Sequence, residues 1–191
     1  MKVLLLDNYD SFTYNLRQLL EEAGAEEVVI RRNDDPEADF MEYEAIVLSP
    51  GPGLPAEAGI LTDLIRRAGP EKKILGVCLG MQAIAEVFGG RLFQPGQILH
   101  GETAFVIPSE PFDILFKGIE KGFEAGLYHS WAVEDIPESS DLIVTSFDKR
   151  GIPMSLRHKQ YNICGVQFHP ESVMTPEGKR IIKNWLENQE S

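Results

Sequence analysis

Short, fully apolar runs alternate with amphipathic stretches along the first half of the chain, and this alternation constrains the fold more than any other feature. Val3-Leu4-Leu5-Leu6 carries no polar residue, which predicts a strand buried on both faces. Residues 11–23 follow with Leu16, Leu19 and Leu20 at helical spacing, Asp10 or Ser11 as available N-cap and Gly24 as the stop. Val28-Val29-Ile30 and Ala45-Ile46-Val47-Leu48 predict two further strands, and residues 57–68 a helix. The strand Ile74-Leu75-Gly76-Val77 then leads into a helix over 79–88, ended by Gly89-Gly90. Strands alternating with helices over short connections imply an α/β fold with a mostly parallel central sheet and helices on both faces.

Beyond residue 90 the pattern changes. Phe105-Val106-Ile107, Leu142-Ile143-Val144-Thr145, Met154-Ser155-Leu156 and Ile163-Cys164-Gly165-Val166 read as strands with little helix between them, hence as extra, partly antiparallel strands at one side of the sheet. A last amphipathic helix over 177–188 offers Ile181, Ile182, Trp185 and Leu186 as its buried stripe. No repeat, low-complexity segment or linker interrupts the chain, so residues 1–191 are expected to form one domain. A chain of that size buries roughly 70% of its unfolded surface and needs no covalent staple.

The formal net charge is −12 and the pI about 4.8. A surface that acidic repels phosphate backbones and argues against nucleic acid as a partner. The acidic residues Glu21, Glu22, Glu26 and Glu27 read as a solvated face. Cys78 and Cys164 are the two cysteines, without metal-ligand spacing, which argues for a reducing compartment and against a disulfide framework. The four apolar residues after Lys2 are too few for a signal peptide, and no apolar stretch approaches membrane-spanning length. The expectation is a cytoplasmic protein without membrane association.

Three local patterns carry chemistry. Gly76-Val77-Cys78-Leu79-Gly80 lies where a buried strand turns into a helix, the context of a nucleophile elbow with cysteine in the reactive position. In so tight a turn the positions two before and two after the nucleophile nearly touch, and a hydrogen is the side chain that fits. Cys78 then projects from a helix N-terminus, where the dipole favours the thiolate, and the Leu79 N–H points into the same space as an oxyanion donor. The plainer reading is a small buried hydrophobe, which is also how Cys164 reads.

The second pattern is Gly165-Val166-Gln167-Phe168-His169-Pro170-Glu171. On an extended segment His169 and Glu171, two apart, lean to the same side, and Pro170 keeps His169 extended. A carboxylate beside an imidazole fixes its tautomer and stabilises the imidazolium formed when it takes a thiol proton. A structural histidine at a strand end is the alternative. His100, His129 and His158 lack the arrangement. The third pattern, Ser49-Pro50-Gly51-Pro52-Gly53, follows a predicted parallel strand at the edge where such sheets bind ligands. Its glycine N–H groups are unobstructed, and Gly53 is a candidate second oxyanion donor; a plain connecting turn is the rival reading.

Taken in order, these pieces resemble the class I, triad-type glutamine amidotransferases. Asp7 through Asn15, His100-Gly101, Tyr128-His129-Ser130 and Gly165 through Ser172 narrow the resemblance to the group formed by the second components of anthranilate synthase and aminodeoxychorismate synthase, over essentially the whole chain. The resemblance implies Cys78 as nucleophile, His169 as general base, Glu171 as its orienting residue, and an oxyanion held by Gly53 and Leu79. It implies a glutamine site at Gly51, Pro52, Gly53, Gln82, Ser130 and Trp131, no cofactor and no metal. The expected partner is a chorismate-binding synthase chain, facing residues 7–15. Met81 and Trp131 depart from the pattern, since relatives often carry His and Leu there; the segment Pro108–Pro111 is also unlike it and is assigned nothing. A catalytically idle glutamine sensor and a free-standing cysteine hydrolase are the rival functions.

Overall fold

The computed structural model describes residues 1–35, 40–96 and 101–188; His100 lies outside them. In chain order the elements are β1 (Lys2–Asp7), α1 (Thr13–Ala23), β2 (Glu27–Arg32), β3 (Ala45–Leu48), α2 (Leu61–Ala68), β4 (Lys73–Val77), α3 (Leu79–Val87), β5 (Arg91–Phe93), β6 (Glu102–Pro108), β7 (Phe123–Leu127), β8 (Ala132–Asp135), β9 (Leu142–Asp148), β10 (Pro153–His158), β11 (Ile163–Val166) and α4 (Gly178–Glu187). Nine strands form one sheet in the order β2-β1-β3-β4-β11-β10-β9-β6-β7, and β5 pairs with β8 separately. From β2 to β11 every pairing is parallel; from β11 to β7 every pairing is antiparallel. The expected mostly parallel sheet with added antiparallel strands is what the chain forms.

Alternate residues of β1 supply opposite faces. Val3 and Leu5 pack with Leu16 and Leu20 of α1 and with Ile181, Ile182 and Trp185 of α4. Leu4 and Leu6 pack with Leu61, Leu64 and Ile65 of α2 and Ile84 of α3. These four of the six β1 residues are fully buried, each burial stabilising by about 2 kcal/mol. This two-sided demand is why the run Val3–Leu6 is uninterrupted by polar residues.

Helix starts differ from expectation in two places. α1 begins at Thr13, with Phe12 rather than Asp10 or Ser11 in the N-cap position. The chain turns first at Tyr9, whose φ is 62°, and Asp7 Oδ1 holds that turn by accepting from the Tyr9 N–H (2.9 Å) and the Thr13 hydroxyl (2.8 Å). Asp10, two residues before the cap position, accepts from the Phe12 N–H at 2.8 Å. The segment 57–68 is not one helix: a 3-10 turn at Pro55–Glu57 is separated from α2 by Gly59, at φ 55°. A Cβ there would lie 2.1 Å from the Asn33 carbonyl oxygen, so the close approach of those two loops breaks the helix. Among the described residues no helix is long and apolar enough to cross a membrane.

Candidate active site

Adjacent parallel strands end at the same edge of a sheet, and four of them end together here. β1 delivers Asn8, β3 delivers Ser49–Gly53, β4 delivers Cys78 and β11 delivers Gln167–His169. Gly76 is opposite Leu48 on one side and Gly165 on the other, and the Cys78 N–H donates to the Val166 carbonyl at 2.8 Å. The three sequence patterns thus converge where open parallel sheets hold ligands.

The elbow has the expected sterics. Cys78 adopts φ 52°, ψ −103°, a left-handed conformation that side chains avoid, and one that persists where the surroundings over-determine it. A Cβ on Gly76 would sit 2.5 Å from the Gly80 carbonyl carbon, and one on Gly80 2.6 Å from the Leu48 carbonyl oxygen. Only glycine allows α3 to start so close above β3 and β4. The Cys78 carbonyl accepts the first helical bond from the Gln82 N–H at 3.0 Å, so the thiol stands at the N-terminus of α3. Cys78 is 5% exposed.

His169 and Glu171 form a buried pair, Nδ1 to Oε1 2.7 Å, with side chains 2% and 0% exposed. The backbone of His169 is fixed on both sides: its N–H donates to Gly126 O (3.0 Å), and its carbonyl accepts from the Thr175 hydroxyl (2.7 Å). Two rings meet the imidazole edge to face, Phe12 at 5.6 Å and Tyr128 at 4.8 Å. Burial disfavours the imidazolium, but hydrogen bonding and charge from Cys78 and then Glu171 outweigh it, raising the His169 pKa to about 10. The buried carboxylate thus favours the protonated ring, the form the imidazole takes when it accepts a proton.

The loop 49–53 is tied to the N-terminal segment. The Asn8 N–H donates to Ser49 Oγ (2.9 Å) and the Asn8 amide to Ser49 O (2.8 Å). A Cβ at Gly51 would lie 2.6 Å from Asn8 Cβ and 2.8 Å from a Leu79 methyl, so glycine lets this loop rest on the first residue of α3. Gly53 is exposed at φ 73°, next to exposed Pro52. Ser130 is exposed and Trp131 half-buried, in the segment between β7 and β8. Gln82 is buried and its amide is engaged, donating to the Trp131 carbonyl at 2.7 Å and to Gln167 Oε1 at 3.2 Å. It shapes the wall that carries Trp131. Met81 is fully buried against Gly165, where a Cβ would meet its Cβ at 2.9 Å, so this departure from the pattern belongs to the packing between α3 and β11.

Cys164 lies at the start of β11, toward the opposite edge, with its thiol donating to Ile74 O at 3.7 Å. Burial pushes its pKa well up, which makes it an inert core thiol. Two contributors to the site carry no local signature in the sequence. Gln167 donates to Cys78 Sγ at 3.5 Å, and Phe12 touches the imidazole. Neither residue type announces such a role; the parallel pairing of β4 with β11 is what reveals the first.

His129, 3% exposed, is held neutral beside this site. Burial is the main cause of a pKa lowered to about 4; hydrogen bonding at Trp131 opposes it, and the charges of His169 and Arg150 add to it. Unfolded, the same imidazole titrates near 6.5. A lowered folded value means stability is fully present above about 6.5 and is lost as pH falls from there toward 4, on the order of 3 kcal/mol. His129→Gln is expected to flatten that acid limb, read as the difference in urea-unfolding free energy between pH 7 and about 4.5. An unchanged difference would mean that His129 is not the group responsible.

Residues 4–189 match the family Glutamine amidotransferase class-I. The chain is 43% identical to anthranilate synthase component 2 of Thermus thermophilus over 194 residues, which cover 98% of this chain and 93% of that one. It is 42% identical to the aminodeoxychorismate/anthranilate synthase component 2 of Bacillus subtilis, over 97% of this chain and 95% of that one. It also aligns, at 42% identity over 99% of its length, with 32% of a longer bifunctional protein of Thermotoga maritima. In fold it is similar to a crystal structure from Thermoplasma acidophilum described as a GMP synthase component, with TM-score 0.85 and 24% identity over 97% of this chain and 92% of that one. By the extent of the family match and of these alignments, the chain belongs to the class-I glutamine amidotransferases.

Proposed function

We propose that residues 1–191 act as one glutaminase unit that hydrolyses L-glutamine and passes ammonia to a chorismate-using synthase. The observation that carries the reading is the buried His169–Glu171 pair, 2.7 Å apart, set at the end of β11 beside the strand that presents Cys78. Cys78 Sγ attacks the amide carbon of glutamine, and the thiol proton passes to His169 Nε2. The carbonyl oxygen becomes an oxyanion held by the N–H groups of Leu79 and Gly53. As the intermediate collapses, the C–N bond breaks and the imidazolium proton goes to the leaving nitrogen, releasing ammonia and a γ-glutamyl thioester. His169 then takes a proton from water, whose oxygen attacks the thioester; glutamate leaves and the thiol is restored. Gly51, Pro52, Gln82, Ser130 and Trp131 frame the substrate, Gln82 by holding the Trp131 carbonyl in place.

The synthase chain docks over residues 7–15, where Tyr9 and Tyr14 are exposed and Phe12 reaches back to His169. Anthranilate is the product we favour. The choice between it and 4-amino-4-deoxychorismate belongs to the partner chain, and the Bacillus subtilis relative carries both names. A cytoplasmic setting, with neither membrane nor nucleic acid as partner, agrees with two unpaired, buried thiols and a net charge of −12. The test uses the complex with its synthase. With Cys78→Ala it should form aromatic product from chorismate and ammonium salts at the wild-type rate, and none from glutamine. Failure with both nitrogen sources, in a complex that still assembles, would contradict the two-site scheme.

A further inference from the structure

Gln167 is fully buried and sits between the nucleophile and the wall of the substrate pocket. Its main chain is fixed, the N–H donating to Met154 O at 2.8 Å. Its side chain has two neighbours of opposite demand. Gln82 Nε2 points a donor at Gln167 Oε1 (3.2 Å) while donating also to the Trp131 carbonyl (2.7 Å). A primary amide has two N–H donors and one oxygen. Gln82 uses both donors in these two bonds, so Gln167 must turn its oxygen to Gln82 and its NH₂ to the other side. On that other side is Cys78 Sγ, 3.5 Å away. The flipped amide would set NH₂ against NH₂ and leave the Trp131–Gln82 link without its continuation.

We propose that Gln167 is a positioning residue that donates to the Cys78 sulfur and keeps it aimed at the substrate, with Gln82 and the Trp131 carbonyl fixing the direction of its N–H. A hydrogen bond donated to sulfur favours the thiolate over the thiol, because the anion is the stronger acceptor. The same three residues join the nucleophile to the pocket wall, so displacement of Trp131 is felt at the sulfur through two hydrogen bonds. The titratable groups that face the thiol from neighbouring segments are His169, after β11, with Glu171 behind it. His129, after β7, is neutral and feels the charge of His169 rather than adding one. Gln167 adds a fixed donor that does not titrate. The inference rests on Cys78 being the nucleophile, but its test does not use glutamine.

Gln167→Glu conserves volume and the bond from Gln82 and replaces the donor facing sulfur with an acceptor. The rate of Cys78 alkylation by iodoacetamide, followed by mass spectrometry of the Cys78 peptide so that Cys164 does not contribute, is measured from about pH 6 to 10. The expected result is a fall of roughly tenfold or more at pH 7 and a rising limb displaced to higher pH, with the wild-type rate regained at the alkaline end. Gln167→Leu, which removes the donor without adding charge, should fall between the two; Gln82→Leu, which frees the amide to flip, should move the profile in the same direction by less. If the charged variant does not fold, the two leucine variants carry the test. A residue that merely fills space would leave the profile of every folded variant on that of the wild type, and that result would overturn the proposal. Because alkylation is read independently of turnover, such a failure would leave the role of Cys78 in hydrolysis untouched.

Discussion

Cys78→Ser is expected to remove glutamine hydrolysis almost entirely, by about 10⁴-fold or more in kcat, while the fold and the docking of the synthase persist. Serine is nearly isosteric with cysteine, and its conformational demands at φ 52° are the same, so the strained elbow survives the change. What is lost is the proposed nucleophile. The His169–Glu171 pair is tuned to hold the proton that a thiol gives up as an imidazolium–thiolate ion pair forms during attack, with the Cys78 sulfur itself contributing to the raised pKa of the imidazole. A hydroxyl surrenders its proton far less readily than a thiol and cannot sustain that ion pair. The Leu79 N–H and the Gln167 amide would remain in place around a group that does not attack. The measurement is ammonia release at saturating glutamine in the complex; retention of more than a few per cent of activity would show that another residue is the nucleophile.

The second large effect is expected at His169. His169→Ala should cost about as much as losing the nucleophile, because members of such a set act as a unit, whereas Glu171→Gln should cost roughly tenfold to a hundredfold less. The reason lies in what each side chain does at the 2.7 Å contact. In the proposed mechanism the imidazole carries the proton in both half-reactions, so its removal leaves neither base nor acid. A glutamine at position 171 can still orient the ring: with its amide oxygen toward Nδ1 it preserves the tautomer that leaves Nε2 free to accept. What it loses is the negative charge that stabilises the imidazolium, and a rotated amide would present N–H to Nδ1 and lock the wrong tautomer. In Glu171→Gln the backbone bonds to Gly126 and Thr175 and the edges of Phe12 and Tyr128 continue to hold the ring. Equal losses of kcat for the two substitutions would contradict this division of roles.

The parts of the molecule that are legible in the sequence are those fixed by local chemistry. The run Val3–Leu6 has no polar residue because both faces of β1 are covered, and Ile181, Ile182, Trp185 and Leu186 recur at helical spacing because one side of α4 faces the sheet. Gly76 is legible for the same reason, since its approach to Gly80 is a steric demand within five residues, whereas the demand on Gly80 comes from Leu48 on the neighbouring strand. The strands β5, β7 and β8 are not legible in this way. β7 reads Phe-Glu-Ala-Gly-Leu and β8 Ala-Val-Glu-Asp, short runs whose strand character comes from partners at a distance: β7 from pairing with β6, β8 from pairing with β5. Gly126 stands mid-strand because Met174 Cβ and Ser172 Oγ lie where its own Cβ would need room. The start of α1 departs from the apparent caps because Asp7, six residues before Thr13, stabilises the turn that delays it. Gln167 is silent in the sequence for a related reason. An amide has no signature of its own, and its meaning depends on Gln82, 85 residues earlier in the chain, and on a sulfur 89 residues away.

The claim on which the mechanism turns is that glutamine becomes covalently attached to Cys78. The direct measurement is to quench the wild-type complex in acid during turnover of radiolabelled glutamine and to locate the label by peptide mapping. The mechanism predicts label on the Cys78 peptide, discharged by hydroxylamine as a thioester should be, and none on the same peptide in Cys78→Ser. Label on the Cys164 peptide, or sustained ammonia release with no thioester on Cys78 in single-turnover samples quenched before hydrolysis completes, would contradict it.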